Sequence, residues 1–174
     1  GMMIFSNEAR AEYNIGLAQL RLEEMERLAI ENKLDDKISE NVNRLFDKHI
    51  AKTKNQIEKI EHKAAENETT AAGINSNLEA SLNAHIQILD RLTTEHNSQI
   101  SENVKSFLSN VRNKNDEIKK ARQDSEYELS SQPSESVKAS AEGKLKAAER
   151  KIDEVNNFIE NKKINFISAA SFMP

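Results

Sequence analysis

Four histidines are the side chains best suited to metal or proton chemistry in this 174-residue chain. A di-iron carboxylate centre in a helical bundle needs Glu-x-x-His on two helices, because that spacing puts both ligands on one inward face. The residues three positions before His49, His62, His85 and His96 are not glutamates, and His-Glu-x-x-His is absent. We therefore predict that the histidines lie at the edges of the apolar helix faces or at the surface, and that the chain has no metal ligands.

The acidic side chains and the potential nucleophiles give no catalytic pattern either. The acids lie within a helical turn of basic residues, as Glu24 does of Arg27, which is typical of a solvated helix face. There is no Cys, no Gly-x-Ser-x-Gly turn, and the four glycines are too scattered for a phosphate loop or a dinucleotide fingerprint. We predict that the protein is not an enzyme and has no catalytic or cofactor-binding residues.

Composition excludes further classes of function. The net charge of −4 is spread over interleaved acids and bases, and no exposed aromatic residues are expected to interleave the basic positions near residues 105–122, so we predict no nucleic-acid partner. No run of 18 apolar residues is present that would span a membrane. With 37% hydrophobic residues and no Trp, the chain can fill the narrow seams between slender helices but not a wide spherical core.

Apolar residues at steps of three and four predict five long amphipathic helices. The first spans about 7–32, the second about 35–67 with Asp35 or Asp36 as its N-cap, and the third follows a break at 68–73. The fourth begins after the polar stretch 93–99, and the last, at 134–168, follows a loop at 130–134. The first helix is expected to bury Tyr13, Leu17, Leu20 and Leu28, widened by Ile15, Leu22 and Met25. The last helix is expected to bury Val137, Ala141, Leu145, Ala148, Ile152, Val155, Ile159 and Phe166.

A short internal repeat bears on how the third and fourth helices connect. Ile38–Val42 recurs letter for letter as Ile100–Val104, and similar segments precede both copies. The repeat favours two helical hairpins, at 7–68 and 70–131, followed by the final helix at 134–168. Periodicity alone leaves open whether 70–131 forms one rod or a hairpin. The predicted fold is all-α: one domain, 1–174, forming an elongated antiparallel bundle of about five long helices.

Three helix patterns resemble a known family. Ala18-x-x-Arg21-Leu22-x-Glu24-x-x-x-Leu28, His85-x-x-x-Leu89 and Lys144-Leu145-x-x-Ala148-Glu149-x-x-Ile152 are similar to segments of a prokaryotic family of helical domains of unknown function. The resemblance implies an exported or membrane-anchored protein with an extracytoplasmic bundle. It carries no catalytic or ligand residues over to this chain. Gly1 before Met2 is typical of a cleavage scar, so a natural N-terminal segment or membrane tether is expected to lie upstream.

These observations favour a non-enzymatic structural or protein-interaction domain, with a protein as the partner and self-association left open. The apolar tail Ile164–Pro174 is expected to cap the bundle or to bind a partner. The alternative is a bundle that senses or binds a small molecule. Its pocket would be lined by the polar positions His49 and Thr53 of the second stripe, or by the face that carries Arg21 and Glu24.

Overall fold

The protein folds as a bundle of five long α-helices. The computed structural model describes residues 5–62, 65–128 and 133–171; among these, the side chains of 65–69, 128, 133–137, 140 and 163–171 are not described. The helices are α1 (Asn7–Ile30), α2 (Asp36–Glu61), α3 (Ala65–Glu95), α4 (Ser98–Glu128) and α5 (Pro133–Ser171). No strand occurs in the described ranges, so the predicted all-α bundle is confirmed.

The turn between α1 and α2 is where the sequence placed it. Asn32 has a left-handed φ of 56°, and the Lys33 N–H donates to the Leu28 carbonyl at 2.9 Å. This is a Schellman ending, which favours Gly or Asn at the left-handed position. The predicted cap of α2 is confirmed, since Asp35 Oδ1 accepts from the Ile38 N–H at 2.8 Å. The chain therefore reverses within five residues.

The connection between α3 and α4 decides whether these two helices form one rod or a hairpin. α3 ends at Glu95, α4 begins at Ser98, and Asn97 Oδ1 accepts the Ile100 N–H at 3.1 Å. Residues 65–128 thus form a hairpin. The predicted break at 68–73 is wrong, because α3 already begins at Ala65. The Ala-rich stretch there is compatible with a helix interior, and the polar residues around it do not stop the helix. The loop predicted at 130–134 lies mostly outside the described residues.

The two copies of the repeat occupy equivalent places at the starts of α2 and α4. Val42 and Val104 are both buried, as are Ser39 and Ser101. One turn or so further on, the rings of Phe46 and Phe107 meet edge to face with centroids 5.4 Å apart. The hairpins α1–α2 and α3–α4 are therefore packed with their second helices side by side.

Apolar side chains at steps of three and four in α3 and α4 form much of the core, as helical periodicity predicts. Leu78, Leu82, Leu89, Val104 and Val111 all lie fully inside. The α1 stripe is rotated from its expected position. It buries Ala11, Ile15, Ala18, Leu22, Met25 and Ala29 and leaves Tyr13 and Leu20 exposed. Small alanines on the inner side of α1 allow the neighbouring helices to approach closely. The packing energy gained in this way exceeds what burial of the larger side chains on the outer side would contribute.

The predicted face of α5 is wrong. Leu145 is 62% exposed and Ile152 60% exposed, and the helix instead buries Ala139, Gly143, Ala147, Glu154 and Phe158. A Cβ on Gly143 would lie 2.8 Å from Ser76 Cβ, which shows how closely α5 approaches α3. The side chains of Val137 and Phe166 lie outside the description. Small residues and a buried carboxylate, rather than the largest apolar ones, face the bundle.

α1, α3 and α5 run in one direction, and α2 and α4 run against them. Contacts show this arrangement: Glu12 is near Lys146, Gln19 meets Ser81, and Lys162 pairs with Glu95 at the end of α3. α5 takes most of its neighbours from α3. It therefore lies at the edge of the bundle, with one long side turned outward.

Candidate functional site

A histidine between two glutamates is buried where α1, α3 and α5 meet. His85 on α3 is 1% exposed, Glu26 on α1 is 7% exposed and Glu154 on α5 is 6% exposed. His85 Nδ1 contacts Glu26 Oε1, and His85 Nε2 lies 3.0 Å from Glu154 Oε1. The second contact has the distance of an ion pair without the alignment of a hydrogen bond. Three helices are thus joined through one imidazole ring.

Two further polar side chains complete the network around Glu154. Gln19 Nε2 donates to Ser81 Oγ at 2.7 Å and to Glu154 Oε1 at 3.1 Å. The Ser81 hydroxyl donates to the same carboxylate oxygen at 3.0 Å. The other oxygen of Glu154, Oε2, is buried without a hydrogen-bond partner among the described residues. A buried carboxylate oxygen in that state retains the capacity to accept a proton or a cationic donor.

Burial and the close charges displace the titration of the network. Burial lowers the pKa of His85, but the negative charges of Glu26 and Glu154 outweigh burial and raise it to about 10. Burial raises the pKa of Glu26, against the lowering effect of His85. At neutral pH the ring is therefore an imidazolium. Because each carboxylate holds a different ring nitrogen, the two do not converge on a common point between them.

The network forms the inner wall of a cleft of about 480 Å³ that opens between α1 and α5. Leu20, Ile30 and Phe158 supply its apolar walls. Five carboxyl groups face two guanidinium groups and one imidazolium; they are Glu23, Glu24, Glu26, Glu154 and Glu160, against Arg21, Arg27 and His85. The cleft therefore carries excess negative charge.

Residue spacing did not predict this site. The predicted position at the edge of an apolar face or at the surface is wrong for His85, while His49 and His96 are half-buried and His62 is exposed. The signal was present, since His85 lies on the apolar stripe of α3, and Glu26 follows Leu22 by one turn. A histidine and a glutamate on the apolar faces of two helices indicate a buried ion pair, because a buried charge is stable only beside a group of opposite charge.

The two faces proposed for a pocket in the alternative reading are placed differently. Arg21 and Glu24 form an ion pair at the mouth of the cleft. His49 and Thr53 lie in the α1–α2 seam, where the Thr53 hydroxyl donates to the His49 carbonyl at 2.9 Å. His49 Nδ1 lies 3.4 Å from Asn14 Oδ1. The cleft therefore involves the first pair and not the second.

The outward side of α5 is a second candidate site, for a macromolecule. Ala141, Leu145, Ala148, Ile152, Val155 and Ile159 follow one another at alternating steps of four and three and are all exposed. We call these six residues the α5 seam. Such spacing is that of a two-stranded coiled coil, in which a second helix covers the a and d positions. Within the described residues, no other helix covers it.

No family model matches this chain, and neither the curated proteins nor the solved structures include a significant match. The resemblance to an exported prokaryotic family therefore stays a prediction. Among the described helices, none is both long and apolar enough to cross a bilayer. The described His, Asp and Glu side chains form no group of three or more placed to hold a metal ion.

Proposed function

We propose that this protein is a non-enzymatic protein-interaction module and that the α5 seam is its docking surface. The observation that supports the proposal is the exposure of Leu145, Ile152, Val155 and Ile159 on a helix that packs by its opposite side. Scattered exposed apolar residues need no explanation, but a continuous row of them at coiled-coil spacing marks an interaction site.

Docking a second helix on the α5 seam requires little loss of conformational entropy from α5 itself. α5 is already a folded helix held on α3 by its other face, so its backbone is ordered before a partner arrives. Free coiled-coil strands of this length must fold when they pair, and that ordering opposes association. A partner helix would remove the apolar side chains from water without paying for the order of α5.

A designed helix tests the surface. The probe is a fluorescent peptide of four heptads with Leu at a and d, and binding to the whole chain is followed by anisotropy. We expect saturable binding that Ile152→Lys weakens at least about tenfold, since a charge at the centre of an apolar seam is desolvated on docking. Thermal stability of this variant should stay within about 0.5 kcal/mol of the parent, as for other exposed positions.

Tyr13→Lys is the matched control. Tyr13 is 67% exposed on α1, away from α5, and receives the same new charge. Peptide binding that both lysine variants reduce equally, or that is absent at concentrations where the chain is monomeric, would refute the docking surface. A large loss of stability in Ile152→Lys that does not depend on protein concentration would show instead that the seam is covered within the chain.

A second candidate function, binding of an organic cation, is favoured by one observation in the cleft. Glu154 Oε2 is buried without a hydrogen-bond partner in the described part of the chain, and Glu154 lines a cleft with excess carboxylates and apolar walls. A linear diamine combines the two features that such a cleft complements, a charged amino group and an apolar stem. This function extends the alternative drawn from the sequence to a specific place.

Thermal unfolding with 1,4-diaminobutane tests this second function. A ligand at about 100 times its dissociation constant adds about 2.7 kcal/mol of stability, which is a shift of several degrees. The diacetylated diamine is the control, because it keeps the stem and loses both charges. Equal shifts with both compounds, or none with either at matched ionic strength, would exclude an amine site.

An extracytoplasmic location rests on the sequence resemblance alone, and a signal peptide in the full-length gene would support it.

A further inference from the structure

The charges on the two sides of the α5 seam differ in sign. In heptad terms Leu145, Ile152 and Ile159 are a positions, and Ala141, Ala148 and Val155 are d positions. The g positions beside them are Lys144, Lys151 and the buried Phe158, and the e positions are Glu142, Glu149 and Asn156. One flank of the seam is therefore basic and the other acidic.

The flanking groups are available to a partner. Lys144, Glu142 and Glu149 are exposed, and Lys151 is half-buried. Among the residues that the structure describes, none of these four has an ion-pair partner. By contrast, Lys146 and Lys162, elsewhere on α5, face Glu12 and Glu95 of the same chain.

The charges of Lys144 and Glu149 bear on the identity of a partner helix and on its direction. In a parallel coiled coil a g residue faces the e residue five positions later on the other strand. Lys144 would then face Glu149 of a second copy, and by symmetry Glu149 would face the other Lys144. In an antiparallel pair, residues of the same flank face each other, so lysines would meet lysines and glutamates would meet glutamates.

We infer that the occupant of the α5 seam is a second copy of this chain, docked with the two α5 helices parallel about a two-fold axis. The inference rests on the proposed function, and it adds the identity and direction of the partner. A two-fold pair is the commonest closed assembly and uses one patch twice. The described seam, from Ala141 to Ile159, extends over about 27 Å at about 1.5 Å per residue.

Sedimentation equilibrium of the full chain over a wide range of concentrations measures the association. We expect a monomer–dimer equilibrium in which Ile152→Lys raises the dissociation constant at least about tenfold and Tyr13→Lys leaves it unchanged. Lys144→Glu should weaken the dimer by about tenfold, because both symmetry-related attractions become repulsions. The double variant Lys144→Glu/Glu149→Lys should restore it, since it exchanges the flanks and re-forms both pairs.

A single cysteine reports the direction of the helices. The chain has no Cys, so Ala148→Cys introduces a unique thiol at a d position of the seam. Equivalent d residues meet across a parallel dimer at a separation that a disulfide can bridge, and mild oxidation should link most of the protein into dimers. Asp153→Cys, on the same helix but off the seam, is the matched control and should stay largely unlinked.

Each outcome decides between the two levels of the proposal. A chain that stays monomeric at all concentrations while the designed peptide binds overturns the second copy and leaves the docking surface. Failure of both assays removes both. A dimer that Lys144→Glu strengthens, or that resists linking through Ala148→Cys, contradicts the parallel arrangement, and a dimer unaffected by Ile152→Lys contradicts the seam.

Discussion

Replacing His85 by leucine is the perturbation that tests the buried network most directly. The variant removes the only described cation in contact with Glu26 and Glu154 inside the bundle. Breaking a buried ion pair by removing one partner costs about 3–5 kcal/mol, because the other charge is left uncompensated. Burial lowers the pKa of His85, but the two carboxylates outweigh burial and raise it, which has the same sign as this cost. We therefore expect a loss of about 3–5 kcal/mol at neutral pH.

The loss should depend on pH in a defined direction. A histidine whose pKa is raised on folding contributes stability that is fully present below its unfolded value of 6.5 and is lost as the pH rises through about 10. In the variant, Glu26 gains a proton more readily, so the protein recovers stability as the pH falls toward 4.5. The difference between parent and variant should therefore be greatest near neutral pH and smaller at both ends. Burial lowers the pKa of His49 and of His96. Both histidines are present in the parent and in the variant, so their titration cancels in the difference.

Urea unfolding followed by far-UV circular dichroism, repeated at several pH values, measures both effects. His62→Leu is the matched control, because His62 is exposed at the end of α2, and it should change stability by less than about 0.5 kcal/mol. The triple variant with leucine at Glu26, His85 and Glu154 should recover much of the stability lost in His85→Leu, since no buried charge then remains unpaired. If His85→Leu were as stable as the parent, with the same pH profile, the ionic account of this site would be refuted.

Three smaller predictions concern the helices themselves, each measured by urea unfolding. Gly143→Val should destabilise by about 1–3 kcal/mol, because its Cβ would meet Ser76 Cβ at 2.8 Å and force α5 away from α3. Gly16→Ala should stabilise by about 0.5–1 kcal/mol, since nothing lies within 4 Å of the added methyl and alanine is the better helix former. Asp35→Ala should cost about 1 kcal/mol through loss of the cap on the Ile38 N–H. An unchanged Gly143→Val, a destabilised Gly16→Ala or a neutral Asp35→Ala would contradict the corresponding contact.

The sequence was sufficient for those parts of the fold that depend on local signals. Asp35 and Asn97 are good caps by residue type alone, and both cap helices in the structure. The stripes of α3 and α4 were also readable, since Leu82 and Val104 sit in runs of constant spacing. Caps and periodicity are properties of a few neighbouring residues, and for that reason they do not depend on which helices meet.

The orientation of α5 and the buried network could not be read in the same way. Hydrophobicity ranks Leu145 and Ile152 above Gly143 and Glu154 as core residues, and the structure reverses that order. What decides the matter is the partner helix: α3 presents Ser76 at a place where only a side chain as small as that of Gly143 fits. A Glu on one helix and a His on another, 69 positions apart, form one site only when the packing is known.

The two candidate sites are linked through the rotation of α5. Turning α5 by about 150° would bury the seam instead, and at about 25 cal/mol per Å² several large apolar side chains favour that turn. The turn would also carry Glu154 out of the bundle and leave Glu26 and His85 without their third member, while bulky residues would replace Gly143 against Ser76. Glu154 would lose its contacts with His85, Gln19 and Ser81, and the steric overlap would cost about 1–3 kcal/mol, so both effects oppose the turn. The buried histidine and its glutamates therefore hold the inner face of α5 inward, and by doing so they leave the α5 seam exposed.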